Sequence, residues 1–201
     1  ESVTTWKMDT PVALATFAVG GFDRNARAGD GKGPSVEFYS PTVSGRSKQD
    51  YMLTELSNDV GFFAQLFGPY PFAQVAAVVH PRPFGQSFPS LILLAPTGKA
   101  NNMYEFSFIA HEMAHQWWGH VVGWKTYKDQ WLREGFAEYS GVLYVKARMD
   151  REAEMQLVRG LRRKLVTPPE GDIGIGKGRT VDLGPIVLGL RSASPKTLNA
   201  Y

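Results

Sequence analysis

Two histidines and a distant glutamate could together bind one metal ion. His111 and His115 stand four residues apart in the segment AHEMAHQWWGH. On an α-helix this spacing leaves the two side chains about 40° apart around the axis and one turn apart along it, so both imidazoles can reach the same ion. Glu134, further along the chain in WLREGFAEY, is the expected third ligand. Two imidazoles and one carboxylate leave a fourth position open.

The open position indicates a catalytic ion rather than a structural one. Structural zinc sites are closed by four protein ligands that usually include cysteine, and this chain has no cysteine. Glu112 is turned about 100° from His111 on the same helix, where it could meet a water molecule at the open position. The expected cofactor is therefore one Zn²⁺ ion. Glu112 would act as the base that takes a proton from water and passes it to the leaving amine of a peptide.

Glu138 is a candidate supporting residue. It follows Glu134 by four positions and so shares its helical face. Metal-binding histidines usually donate their second ring N–H to a carboxylate or carbonyl, and Glu138 could accept from His111 or His115. The alternative is an ordinary glutamate on a solvent-exposed helix surface.

Composition limits the classes of protein and partner. At 201 residues and 43% hydrophobic content, the chain fits one globular domain or a large piece of one. The net charge is +3, and lysine and arginine are spread without long runs, so no nucleic-acid partner is expected. No apolar run reaches the length of a membrane span. The lack of cysteine suits a cytoplasmic protein and an exported bacterial one equally, so localisation stays open.

The elements around these residues mix strands and helices. Strands are predicted within 4–22 and at 36–39, 75–79 and 91–94, with an irregular loop between the last two. Apolar residues at three- and four-residue spacing predict a helix at 47–67. The metal-binding helix should begin at Asn102, which has Glu105 three residues later, and run to about Trp118. Two further helices should follow. One runs from Glu134 to about residue 148, with Phe136 and Tyr139 on its apolar stripe, and the other covers 151–165.

The two metal-binding segments resemble a known family. HEMAHQWWGH and WLREGFAEY are similar to the histidine helix and the glutamate helix of the aminopeptidase N family, the gluzincin zinc metallopeptidases that include the leukotriene hydrolases. Arg133 stands where asparagine is more usual in that family. The resemblance implies an α+β fold, a thermolysin-like catalytic domain in which a small mixed β-sheet packs on the helices that carry HExxH and the downstream glutamate. It also implies a zinc metallopeptidase, specifically an aminopeptidase, with peptide lying along an edge strand near residues 85–90.

The resemblance further implies a domain organisation. Residues 1–46 are expected to be a β segment at the junction with a missing N-terminal β domain, and residues 47–201 a catalytic domain truncated at its C-terminus. The family stabilises the oxyanion with a tyrosine in a Y-x-K-G segment, which is absent here. LGLRSASPKTLNA resembles the lead-in to that segment, so the tyrosine is expected beyond Tyr201. The 201-residue chain alone is then expected to be a weak or inactive catalyst.

One departure from the family concerns substrate binding. Family members that remove single N-terminal residues carry a GxMEN motif, whose glutamate binds the substrate ammonium group. The corresponding segment here reads FGQSFPSLI, and no Asp or Glu occurs over 81–104. Gly85 matches the motif, and Gln86 could offer a neutral acceptor, while Glu138 could serve from another direction. Exopeptidase and endopeptidase specificity both stay open.

Two other functions compete with the peptidase. One is an epoxide hydrolase of the leukotriene hydrolase type, which would use the same zinc ligands. The other is a non-catalytic peptide-binding scaffold that keeps the fold. The presence of Glu112 argues against the scaffold, because a binding protein has no need for a general base beside a metal ion.

Overall fold

The computed structural model describes residues 5, 7–31, 33–41, 45–96 and 102–166. Within them lie five strands: β1 Phe22–Arg27, β2 Ser35–Pro41, β3 Gln74–Val79, β4 Gln86–Phe88 and β5 Leu91–Leu94. The same residues form four α-helices: α1 Arg46–Phe67, α2 Met103–Ala114, α3 Gln130–Arg148 and α4 Arg151–Val166. A short 3₁₀ turn at Tyr127–Asp129 leads into α3.

The strands form one mixed sheet in the order β1-β2-β3-β5-β4. β3 runs parallel to β2 and β5, while β1 and β4 pair antiparallel at the two edges. Central β3 is buried on both faces, which explains its continuous apolar sequence. In β2 buried and half-buried residues alternate, as expected where one face packs on the core. The expected mixed sheet packed on helices is confirmed, and the sheet crosses the domain boundary expected at residue 46.

Two strand predictions were wrong. The described residues of 4–21 contain no strand, and β1 begins only at Phe22. Leu14, Phe17 and Val19 are largely exposed there, so their β propensity is not matched by a packing surface. The irregular loop expected between β3 and β5 contains β4, which is the edge strand that the resemblance implied near residues 85–90. Its three residues are too few to show a periodic pattern. Ser90, in the left-handed region at φ 62°, makes the turn from β4 to β5.

The hydrophobic core lies between the sheet and the helices. Most of its largest fully buried side chains come from β2, α1, β5 and α2, including Phe38, Phe63, Ile92, Phe106 and Met113, and α4 adds Leu157. Burying each such side chain stabilises the fold by about 1.5–3 kcal/mol. Since α2 supplies several of them on its buried face, the core fixes the helix that carries the histidines.

The helices match their predicted positions except at two points. Asn102 caps α2, its side-chain oxygen accepting from the backbone N–H of Tyr104 and Glu105, as predicted. However, α2 ends at Ala114 rather than Trp118, and His115 is its C-cap. α3 begins at Gln130, four residues before the predicted start.

The buried face of α3 also differs from the sequence prediction. Phe136 and Tyr139, expected on an apolar stripe, are 47% and 60% exposed. α3 instead packs on α2 through small residues, because a Cβ at Gly141 would lie only 2.7 Å from the Ser107 carbonyl oxygen. The buried face of α3 is therefore the one that lets the two helix backbones approach closely, and not the one that carries Phe136 and Tyr139. Within the described part of the chain, no helix combines the length and apolarity needed to cross a bilayer.

Candidate metal centre

Three side-chain atoms converge at the junction of α2 and α3. His111 Nε2 lies 3.1 Å from His115 Nε2. Glu134 Oε2 lies 3.6 Å from His111 Nε2 and 3.3 Å from His115 Nε2. Tetrahedral ligands about 2.1 Å from a zinc ion are about 3.4 Å from one another. The three atoms therefore have the types and spacing that one zinc ion requires.

Helix packing creates this convergence. His111 lies in the last turn of α2 and His115 directly after it, so the local helical path brings their Nε2 atoms close together. Glu134 lies in the second turn of α3. The glycine contact between Gly141 and Ser107 brings α3 close enough for the carboxylate of Glu134 to reach both imidazoles.

The second nitrogen of each imidazole has its own acceptor. His111 Nδ1 lies 3.0 Å from Glu138 Oε2, the contact for which Glu138 was a candidate. His115 Nδ1 lies 2.9 Å from the backbone oxygen of Trp118. An acceptor at Nδ1 favours a proton on that nitrogen and leaves Nε2 able to bind metal. The early end of α2 makes the Trp118 carbonyl available, and side-chain spacing alone cannot reveal a backbone acceptor.

The carboxylates set the charge of this group. Burial lowers the pKa of His111, but hydrogen bonds with Glu134 and Glu138 outweigh burial and raise it to about 10. Burial also favours the neutral form of Glu134, yet hydrogen bonds with His111 and His115 hold its pKa well below its usual range. Glu134 is therefore ionised at neutral pH, as a metal-binding carboxylate must be.

Glu112 lies on the buried side of the same helix turn. It is 5% exposed, and burial raises its pKa to about 7. Its Oε2 atom has no hydrogen-bond partner among the described residues. Gly85 lies against this carboxylate, since a Cβ there would overlap Glu112 Oε1. Gln86 is next in sequence and opens edge strand β4, pairing with Leu93.

Gln116 links the edge strand to the metal-binding segment, and the sequence did not reveal it. Its side chain is fully buried. The amide nitrogen donates to Ser87 Oγ at 2.6 Å and to the Phe88 carbonyl at 3.0 Å. The amide oxygen accepts from the Ser90 backbone N–H at 2.9 Å and the Tyr70 hydroxyl at 3.1 Å. The only sign of it in the sequence is a polar residue between His115 and Trp117.

Arg133 contacts the carboxylate of Glu134 directly. Its Nε and Nη2 atoms donate to Glu134 Oε1 at 2.9 and 2.5 Å. The sequence marked Arg133 only as a departure from the family pattern. Tyr201 and the segment before it lie outside the described residues.

Part of the chain is similar in sequence to known peptidases. Residues 88–167 match the peptidase family M1 domain. Leukotriene A-4 hydrolase of Xenopus laevis is 33% identical over 92 residues, 44% of this chain and 15% of that protein. Glutamyl aminopeptidase of Bos taurus is 28% identical over 163 residues, 72% of this chain and 17% of that protein. The chain thus spans less than a fifth of the length of either relative.

A solved structure shares the fold. The crystal structure of an M1 zinc metallopeptidase from Deinococcus radiodurans matches with a TM-score of 0.54 and 20% sequence identity. The match covers 75% of this chain and 34% of that one. At this identity the likeness concerns the arrangement of the backbone.

Proposed function

Because this chain belongs to peptidase family M1, the family of the aminopeptidase N motifs that it carries, we propose that it is part of a zinc-dependent aminopeptidase. The observation that carries the proposal is the convergence of His111, His115 and Glu134 beside buried Glu112. Residues 47–201 would form a thermolysin-like catalytic domain. Residues 22–41 would join it through β1 and β2, which belong to the same sheet, and the residues before them would lead in from an N-terminal β domain.

Three side chains would hold the ion. His111 and His115 would bind through Nε2 and Glu134 through Oε2, the atoms that face one another. A zinc ion bound there would supply Lewis acidity, lowering the pKa of water and polarising a substrate carbonyl. Glu138 and the Trp118 carbonyl would hold the two rings in orientation through their Nδ1 atoms.

Glu112 would move the proton during hydrolysis. Its unpartnered Oε2 can accept a proton from water, and a pKa near 7 allows the same atom to release it to a leaving amine. Burial excludes bulk water from the carboxylate and makes its protonation state depend on the groups around it. Hydrolysis would then proceed without a covalent bond between the protein and the substrate.

The peptide substrate would bind along β4. Among the described residues this strand lies at the sheet edge and pairs with β5 alone, so its other side offers backbone hydrogen-bonding groups to an extended peptide. Gly85, at the entry to β4, lies beside Glu112, which would bring the scissile bond close to the base. Glu138 is already bonded to His111, so Gln86 is the proposed neutral acceptor for the substrate amine.

Two variants of the whole protein test the proposal. Glu112→Gln should keep zinc and lose about 10²–10⁴-fold in hydrolysis of fluorogenic aminoacyl substrates. Glu134→Ala should lose zinc, measured by elemental analysis. Glu152→Gln, at a mostly exposed site on α4, is the charge-matched control and should behave as the parent protein. A protein that takes up no zinc, or a Glu112→Gln variant with full activity, would contradict the proposal.

Substrate pairs test the aminopeptidase specificity separately. Peptides with free and acetylated N-termini should differ at least about tenfold in kcat/KM if the amine is anchored. Equal rates would indicate an endopeptidase and would leave the metal site itself unaffected.

A further inference from the structure

Arg133 holds one oxygen of Glu134 away from the metal-facing side. Both of its contacting nitrogen atoms donate to Oε1, whereas Oε2 faces the two imidazoles. The two oxygens of one carboxylate therefore have different partners. Both side chains are largely buried, at 16% and 18% exposure, so solvent screens this ion pair only weakly.

Helical geometry alone does not produce this pairing. Adjacent residues on an α-helix point about 100° apart and do not normally face each other. Residues of the connection between α2 and α3 contact the Arg133 side chain and direct it towards Glu134. Its guanidinium lies over the Trp124 ring at 4.8 Å from the centroid.

Gly119 completes the seat for Arg133. A Cβ at Gly119 would overlap Arg133 Cδ and lie 2.9 Å from Cγ. Gly119 also has φ +121°, a conformation that disfavours any other residue. The aliphatic part of Arg133 thus packs on the backbone of Gly119, and its guanidinium packs on the ring of Trp124. Together these contacts direct its N–H groups towards Glu134.

We propose, resting on the metal site proposed above, that Arg133 is a positioning residue that restricts Glu134 to metal binding through one oxygen. A carboxylate with both oxygens available can bind an ion through the pair, which raises the coordination number from four to five. By occupying Oε1 with two charged hydrogen bonds, Arg133 keeps the fourth position open for water. The arginine at a position where asparagine is more usual thereby acquires a function in this chain.

Binding of cobalt(II) in place of zinc measures how Glu134 binds the ion, without any need for catalytic turnover. Four-coordinate cobalt(II) absorbs visible light more strongly than five-coordinate cobalt(II), so the spectrum reports the binding mode of Glu134. The parent chain should show the stronger absorption, and Arg133→Gln should lower it by about twofold or more. Arg163→Gln, on the exposed side of α4, removes the same charge and should leave the spectrum unchanged.

A second variant tests the same role if Arg133→Gln does not fold. Trp124→Leu removes the aromatic platform but keeps the charge of Arg133, and Trp124 is 40% exposed. Its absorption should fall in the same direction. If the metal-free Arg133→Gln chain loses its thermal transition, the Trp124→Leu spectrum decides instead.

The outcomes separate this inference from the function on which it rests. A parent-like spectrum in a folded Arg133→Gln chain overturns the role of Arg133 and leaves the metal site intact. A parent chain that takes up neither cobalt(II) nor zinc overturns the metal site and this inference together.

Discussion

Gly85 lies directly against the carboxylate of Glu112. A Cβ built on Gly85 would be 2.7 Å from the Glu112 carboxyl carbon and equally close to the ring of Phe108. Such distances are well inside van der Waals contact. The edge strand can approach the proposed base only because residue 85 has no side chain.

Gly85→Ala should therefore displace Glu112 without removing metal. We expect kcat to fall at least about tenfold, since a shift of about 1 Å at a catalytic group can cost about 10²-fold in rate. Zinc content should stay at the parent level. Gly61→Ala is the matched control, because nothing lies within 4 Å of a Cβ on that α1 glycine. Full activity in Gly85→Ala would show that Glu112 can move aside without consequence.

Glu138→Ala should weaken zinc binding. It removes the carboxylate 3.0 Å from His111 Nδ1, so the ring loses its orienting acceptor. Loss of such a partner typically lowers metal affinity about 10- to 100-fold. Competition with a chromophoric chelator measures the change, with Glu152→Ala as the exposed control. Equal affinities in the two variants would mean that the Glu138 contact does not support the ligand.

Gln116→Met should destabilise the fold and loosen β4. The substitution keeps the approximate shape but leaves Ser87 Oγ and the Ser90 N–H without their buried partner. We expect a loss of about 2–4 kcal/mol in unfolding free energy, measured by denaturant titration. Hydrogen exchange at the β4–β5 turn should accelerate. Gln156→Met, at an exposed position of α4, should change neither quantity. Unchanged hydrogen exchange in Gln116→Met would contradict the role of Gln116 in holding β4.

Asp59→Asn should alter the pH dependence of stability. Asp59 is fully buried, neither oxygen has a hydrogen-bond partner among the described residues, and burial followed by the charge of Glu55 raises its pKa. A raised carboxyl pKa favours folding while the group is protonated, so this stabilisation is lost as pH rises from the unfolded pKa through the folded one. The uncharged amide of the variant carries no such dependence.

The variant should thus gain stability over the parent between about pH 5 and 8, by on the order of 1–3 kcal/mol, with the difference shrinking towards pH 4. Thermal unfolding midpoints at a series of pH values measure it. Asp50→Asn, at an exposed position of the same helix, should follow the parent curve. A constant difference at all pH values would rule out a protonated Asp59 as the cause.

The local elements of the site were predictable from the sequence. The spacing of His111 and His115 and the course of α1 follow from the 3.6-residue repeat, and the cap at Asn102 follows from its residue type. Glu134 was expected as the third ligand because two histidines alone leave the ion incompletely coordinated, and the resemblance of its segment and theirs to one family supports the same choice. The edge strand near residues 85–90 was expected only from the family resemblance, because three residues show no periodic pattern. What could not be predicted was the length of α2 and the buried face of α3, since each depends on contacts with distant residues.

The sequence by itself determined that the side chains of His111 and His115 can reach one metal ion, because covalent geometry fixes their angular relation within one helix. Only the tertiary structure brings Glu134 to them and decides which atoms of the three residues face one another and what holds them there. The Trp118 carbonyl behind His115, the guanidinium of Arg133 on one oxygen of Glu134 and the bare backbone of Gly85 beside Glu112 are all contacts that no helical repeat contains. Such relations depend on how closely α2, α3 and the sheet pack, and that distance is set by the whole core rather than by any local repeat.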